Sequence, residues 1–516
     1  MHRSFSKIAG AIVIALIAGS SYAQKPQELT LDAAVDQAIR ESYKIKRLQI
    51  DIDRNKLLLE ARRAALLTKV YMNVYAPNLE SAYQREWIAD AADGHEEFIF
   101  QKKALFLSTI SVQQPVILFG YPTNGYFSAN AEIENQLQNL FMTNLQKDFR
   151  NRYYLKFSQP FFQTNRLKND LEDAQLTLDD TRLRYAAERM NIIRDVAQSY
   201  YYIYEIACNA DAYQTQRAYL LHVRNDILSP EDRDSSRSTD GMQLELELST
   251  ITENLLEMQS RLRQELANIK QRLHIKMEDS LYINPHPSII PAKIILDSAL
   301  EKAATLNPYF KRQKIVLRRQ ELDYLYQKWL NGFNVKFEAT YGIESKSSVP
   351  SELWKEYNNT NSLLLYAYIP LWDGNERRKR MAANRKSMEG TNLETEDKKE
   401  EIKKNVTTAV YNANESLDRF TSLMEKTGMA VSLTESSINN YQNSRVSMSD
   451  LLLIISRHKD IMLKLYQAYL GYRRALLAIM IDSFYDFEKN ADLSEINPTP
   501  LKAVLPAENL PVIDNP

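Results

Sequence analysis

Glycine is scarce in this chain, with 12 in 516 residues against a usual share of about 7%. That excludes a turn-rich sandwich and favours long uninterrupted elements. Cysteine is scarcer still: Cys208 stands alone, so no disulfide can form within the chain, and its place inside a helical pattern makes it a core residue. Charge of one sign is also missing. The formal net charge is −1, which does not mark a nucleic-acid binder. No stretch after residue 23 approaches 18 consecutive apolar residues, which argues against a membrane-spanning helix; if the chain meets a membrane, it does so with strands. The six histidines, His2, His95, His222, His274, His286 and His458, are scattered without ligand spacing, and there is no phosphate loop or nucleophile elbow. The expectation is therefore a protein with no metal, no cofactor and no catalytic residues.

Residues Met1 to Ala23 have the pattern of a secretory signal. Arg3 and Lys7 are followed by the apolar run Ile8–Ile17 and the small-x-small site Ser21-Tyr22-Ala23. The mature chain is expected to be exported, and no cysteine follows the run to carry a lipid.

The remainder repeats itself. From Leu31 the sequence aligns without a gap on that from Leu296, an offset of 265. Identities include Asp32/Asp297, Lys46/Lys311, Arg54/Arg319, Leu57/Leu322 and Val70/Val335. A second alignment, offset 210, sets Pro160 of KFSQPFFQTNRL (156–167) against Pro370 of AYIPLWDGNERR (367–378) and runs through Tyr201/Tyr411, Asp240/Asp450 and Ile269/Ile479. The predicted order is a signal at 1–23, a first repeat at 24–285, a proline-rich linker at 286–291, a second repeat at 292–487 and an irregular tail at 488–516, with five prolines after Asp492.

Each repeat opens with an amphipathic helix. In the first, Ala38, Ile45, Ile52, Leu59 and Leu66 recur every seven residues, the spacing of a coiled-coil seam. A strand of period two follows, Val70, Met72 and Val74 matching Val335, Phe337 and Ala339, with one face apolar and the other polar. A half-buried soluble sheet would alternate in the same way; the lack of a second layer of strands favours a barrel wall. Tyr71, Tyr75, Tyr83, Trp87, Tyr366 and Tyr368 lie in or beside these strands, as interfacial or lumenal aromatics.

The strand before Pro160, like the one before Pro370, stops at its proline, which has no N–H for a ladder. Asn165 and Asn375 then stand as caps of charged helices. Those helices are predicted to run about 60 residues, on the order of 90 Å, and to return antiparallel after a tip. The offsets differ by 55, so the first repeat carries an insertion, roughly 88–150, that is open between an added hairpin and an external loop. An added single strand is disfavoured, because a closed antiparallel wall takes strands in pairs.

As an ordered set, the LDAAVDQAI opening, the tandem halves, the two strand-proline-helix copies and the tip NYQNSRVSMSDLLL resemble the TolC family of bacterial outer-membrane channel proteins. The resemblance implies a homotrimer giving four strands per protomer to one outer-membrane β-barrel in contact with lipid. Continuous with it would be an α-helical coiled-coil barrel crossing the periplasm, the whole an α+β membrane protein of two tandem repeats. It further implies no enzyme but the exit duct of a tripartite efflux pump or type I secretion system, docked on a periplasmic adaptor served by an inner-membrane RND or ABC transporter. The family often shows Tyr-x-x-Gly and Asp-Leu-Leu-Asp at the tip, where this chain has Tyr441-Gln442-Asn443-Ser444 and Asp450-Leu451-Leu452-Leu453. By resemblance Asp450 faces the pore as a ring of like charge; equally it caps the returning helix. Leu453 removes the second acid, so Asp240 is the candidate to contribute instead, and Arg445 is a candidate to pair across the tip. The rival reading is a periplasmic coiled-coil adaptor, which would lack strands with a lipid-compatible face.

Overall fold

The opening helix of each repeat is broken at the same place. In the computed structural model, which describes residues 27–88, 95–118, 121–140, 144–227, 239–285, 291–330 and 332–494, helix α1 spans Leu31–Glu41 and α2 Tyr43–Ala64. Their counterparts are α5, Leu296–Leu306, and α6, Pro308–Trp329. Between α5 and α6 stands Asn307 at ψ 119°, because the ring of Pro308 excludes the helical conformation from the residue before it. The equivalent position, 265 residues earlier, is Ser42 at ψ 115°. No proline follows it, and the break is held by its hydroxyl, which accepts from the Ile45 N–H at 3.4 Å as a cap. The seven-residue spacing thus predicts the face but not the break. Ala38, Ile45, Ile52 and Leu59 are all buried. The signal, the centre of the linker at 286–290 and the tail from 495 lie outside the described residues.

Four further α-helices follow among the described residues. These are α3, Arg166–His222, extended by a π turn at Val223–Ile227; α4, Thr239–Arg272; α7, Glu376–Gln442; and α8, Met448–Ser483. Helix α3 is 57 residues and α7 is 67, close to the predicted lengths. Asn165 caps α3 by accepting from the Lys168 N–H at 3.0 Å. Asn375 has a different role: with Gly374 it takes a left-handed conformation, φ 65°, and the Asp373 carboxylate accepts its N–H at 2.9 Å.

By contacts the chain forms two compact units. One comprises the described residues up to Gln49, Leu183–Tyr309 and those from Asp397; the other comprises Ile50–Arg182 and Phe310–Glu396. The first is helical. Its main core gathers Ala197, Tyr201, Ile203, Tyr204, Cys208 and Leu470 with Leu29 and Ala34. Burial pushes the Cys208 thiol up, beyond ionisation at neutral pH, so it is an inert core residue.

Asp482, near the end of α8, is the strained member of this unit. Burial pushes its carboxyl up to about 6; Glu401 adds to the shift, while Lys398 and a hydrogen bond with Asn405 oppose it. Because the folded-state pKa is raised, this group's stabilisation is full below its unfolded value of about 3.9 and is lost as pH rises through about 6. Asp482→Asn should therefore raise the melting temperature at pH 7.5, and the gain should close between pH 6 and pH 4. A constant gain across that range would mean the carboxylate is not the cause.

The second unit holds the sheet. Its strands are β1, Lys69–Ile88; β2, His95–Leu118; β3, Tyr121–Leu140; β4, Asn144–Phe161; β5, Asn334–Ser347; and β6, Asn358–Tyr368. They lie in chain order, every neighbouring pair antiparallel. The insertion therefore supplies the hairpin β2–β3 inside the sheet, and among the described residues this sheet has six strands where the resemblance implies four. Pro160 sits opposite Lys336 one residue before β4 ends, and Pro370 follows the end of β6. The duplication persists in side-chain contacts on the helices of this unit. Asn55 of α2 donates to Thr181 of α3 at 2.8 Å, and Gln320 of α6 donates to Thr391 of α7 at 2.9 Å, the two pairs related by the offsets 265 and 210.

Candidate functional site

Two places gather the residues singled out in the sequence: the sheet, and the ends of the long helices around Asp240 and Asp450. Register assigns the faces of the sheet, since successive side chains alternate. One face carries Val70, Met72 and Val74 of β1, opposite Val112, Ile110 and Ser108 of β2. It continues through Phe127, Ala129, Ala131 and Ile133 of β3 to Phe157, Leu155 and Tyr153 of β4. Phe337, Ala339 and Tyr341 of β5 and Leu365 and Leu363 of β6 complete it. These side chains are open to the surroundings: Val70 is 69% exposed, Val74 66% and Leu363 75%. A contiguous apolar face of this extent needs an apolar neighbour.

The opposite face is polar and cross-linked. Arg150 of β4 donates to Glu344 of β5 at 2.8 Å and lies 3.7 Å from Glu134 of β3, so one guanidinium straps three strands. Glu338 of β5 receives Lys336 at 2.6 Å, Ser158 at 3.2 Å and Lys156 at 3.4 Å. Ser111 donates to Asn130 at 2.7 Å. Tyr71, Tyr75, Tyr366 and Tyr368 fall on this polar face, whereas Tyr83 shares the parity of Leu79 on the other; the side chain of Trp87 lies outside the described residues.

The tip is built from four helix ends. Leu220 and Val223, Leu244 and Leu248, Ile438, and Met448 and Leu451 come from α3 and its π turn, α4, α7 and α8 and form one buried cluster. Above it, Asp240 and Asp450, equivalent in the repeat, have different partners. The Asp240 carboxylate accepts from the Tyr441 hydroxyl at 2.8 Å, joining the first turn of α4 to the last turn of α7. Asp450 is engaged by its own turn. The Ser447 hydroxyl donates to its carboxylate at 2.7 Å and accepts its N–H at 3.2 Å, so Ser447 is the cap of α8 and Asp450 its support in the first turn. The sequence explains the divergence, because the residue three before Asp240 is Arg237, not serine. Ser444 takes φ 58° at the turn, a conformation glycine adopts at least cost, and Arg445 is exposed beside it. Sequence reasoning named Tyr441 and Asp240 but not their bond, which spans 201 residues and leaves no local signal.

Among the described residues, no helix is long and apolar enough to cross a membrane, and no group of three or more histidine, cysteine or acidic residues could hold a metal ion. No protein-family model matches the chain, and no curated protein is similar to it in sequence. Solved structures are similar to it over most of their length. They include the outer-membrane channel OprN, at a TM-score of 0.58 and 11% identity over 88% of this chain and 89% of that one. The outer membrane protein VceC from Vibrio cholerae matches at 0.56 and 10%, over 88% and 95% of the two chains. The Campylobacter jejuni CmeC outer membrane channel matches at 0.55 and 12%, over 93% and 92%. At such identities the likeness is one of architecture, and this chain has the TolC-like fold of those outer-membrane channels, long helices joined to antiparallel strands.

Proposed function

We propose that this protein is the outer-membrane exit duct of an export machine, either a tripartite efflux pump or a type I secretion system. In this reading three copies close one barrel whose apolar face meets lipid and whose polar face lines the passage. The long helices reach through the periplasm, and their tips dock on an adaptor fed by an RND or ABC transporter. The duct makes and breaks no bonds.

The observation that carries this reading is the two-faced sheet with two open edges. An apolar face left open, strands of 11 to 24 residues that reach or exceed the roughly 9–11 a membrane requires, and, among the described residues, ion pairs on the other face suit a barrel wall. In lipid each unpaired backbone group on an open edge costs several kcal/mol, so one protomer cannot serve alone. Tyr43, Ile50 and Leu57 of α2, seven residues apart and 61–75% exposed, give the helices a seam of their own for neighbouring copies. At the tip, the Tyr441–Asp240 bond acts in this reading as a latch holding α7 and α8 against α4. Asp450 is exposed at the same turn and, threefold repeated, supplies a ring of negative charge that favours cations; capping and ring are compatible.

Membrane fractionation separates this reading from an adaptor. The protein should stay with the outer membrane through salt and urea washes. Release by those washes, or passage into the inner-membrane fraction, would overturn the assignment in favour of a peripheral or inner-membrane partner.

A further inference from the structure

The apolar band does not run straight across the strands. On β6 it is centred at Leu365, which lies opposite Phe337 of β5. On β1 it runs from Val70 past the bulge to Leu79, which pairs with Ala104 on the same face, so its middle lies at Val74, whose row passes through Ser108, Ile133 and Asn151 to Ser345 of β5. Ser345 is eight residues from Phe337, so the band climbs eight residues over five strand steps. At about 3.3 Å per residue and about 4.8 Å per strand, the strands are inclined to the band by roughly 45°, the tilt of strands in transmembrane barrels. A level band in lipid thus fixes how the strands stand, and also what each edge must meet.

The two edges, β1 and β6, run in opposite directions because the number of strands between them is even, so a second copy of this chain presents an antiparallel partner to either. Resting on the channel reading above, we infer that β1 of one protomer pairs with β6 of the next, Val74 lying opposite Leu365 or Ala367 to keep the band level, and that three protomers close an eighteen-stranded barrel. The hairpin β2–β3 lies inside the sheet and not at its end, so it widens the wall and leaves the closing edges unchanged. At the strand spacing and tilt just given, eighteen strands have a backbone radius of roughly 20 Å, against roughly 13 Å for the twelve that four per protomer would supply. Sixteen to eighteen strands leave an aqueous passage, and this bore admits bulkier solutes than a twelve-stranded one.

The test uses full-length protein in outer membranes with paired cysteines. Val74→Cys is combined in turn with Leu363→Cys, Leu365→Cys and Ala367→Cys, and treated with a short bifunctional thiol reagent. Cys208 is buried and does not compete. Val74→Cys with Leu364→Cys is the control, since residue 364 points to the opposite face. The expected result is a ladder of covalent dimers and trimers on denaturing gels for at least one of the three pairs, and none for the control. Native mass measurement of the uncross-linked particle should give three copies. A particle of three copies that none of the three pairs links, or that the control links equally, overturns this closure while leaving the channel reading in place. A ladder ending at two copies, in a particle of two, overturns the count of eighteen. A protein that is monomeric and absent from the outer membrane removes both.

Discussion

Gly342→Val abolishes assembly of the sheet: the variant should be missing from the outer membrane and recovered, if at all, as aggregated or degraded chain. Gly342 sits in the middle of β5 against β4. A Cβ there would come 2.2 Å from the Tyr153 carbonyl oxygen and 2.6 Å from the Tyr154 Cβ, distances no side chain tolerates. The obstacle is backbone and cannot rotate away, so β5 must separate from β4 around the pair Tyr154–Gly342. Each ladder group orphaned in lipid then costs several kcal/mol, enough to exceed the roughly 5–15 kcal/mol by which proteins are stable. Gly428→Ala is the matched control. Gly428 lies in α7 with nothing within 4 Å of the added Cβ, and a helical Gly→Ala change stabilises by up to about 1 kcal/mol. Normal abundance of Gly342→Val, with the outer-membrane form intact, would show that β4 and β5 are not neighbours in the membrane.

Tyr441→Phe is expected to loosen the tip. It removes the hydroxyl that Asp240 accepts at 2.8 Å and leaves the ring in place. A hydrogen bond to a charged group contributes about 1.5–3 kcal/mol, so one latch shifts its own opening equilibrium by roughly one to two factors of ten, and a ring of copies has one in each. The resting conductance in planar bilayers should rise several-fold, and Asp240→Asn, which weakens the same bond from the other side, should move it in the same direction. The double variant should add little to either, because both single changes remove one interaction. Wild-type conductance in Tyr441→Phe, at unchanged abundance and mass, would mean that the bond only shapes the turn.

The long helices and the duplication were legible in the sequence because both are periodic: a seam every seven residues from Ala38 to Leu66 and two gapless offsets leave little freedom. The number of strands was not. On β3 the apolar face is Phe127, Ala129, Ala131 and Ile133, and alanines in its centre give so little contrast with Ser128 and Asn130 that the alternation is lost. On β2 the run from Leu105 to Leu118 reads as a strand, but its polar face includes Leu105 and Leu107, which blurs which face is which. Only strand pairing reveals that both belong to one sheet. The break at Ser42 was equally hidden, since serine is compatible with a continuous helix and only its repeat partner, Asn307 before Pro308, marks the position. At the tip, the offset of 210 identified Asp240 with Asp450 and so suggested equal roles. Ser447 engages one and Tyr441 engages the other, and the second of these contacts comes from chain folding, which no alignment of the halves contains.

The wild-type protein, purified from outer membranes and added to a planar lipid bilayer, tests the central claim most directly. Stepwise ionic currents from a particle of three copies are the predicted result, each step a water-filled passage through the membrane. A bilayer that stays electrically silent at protein concentrations where insertion is proven by protease protection would contradict the account.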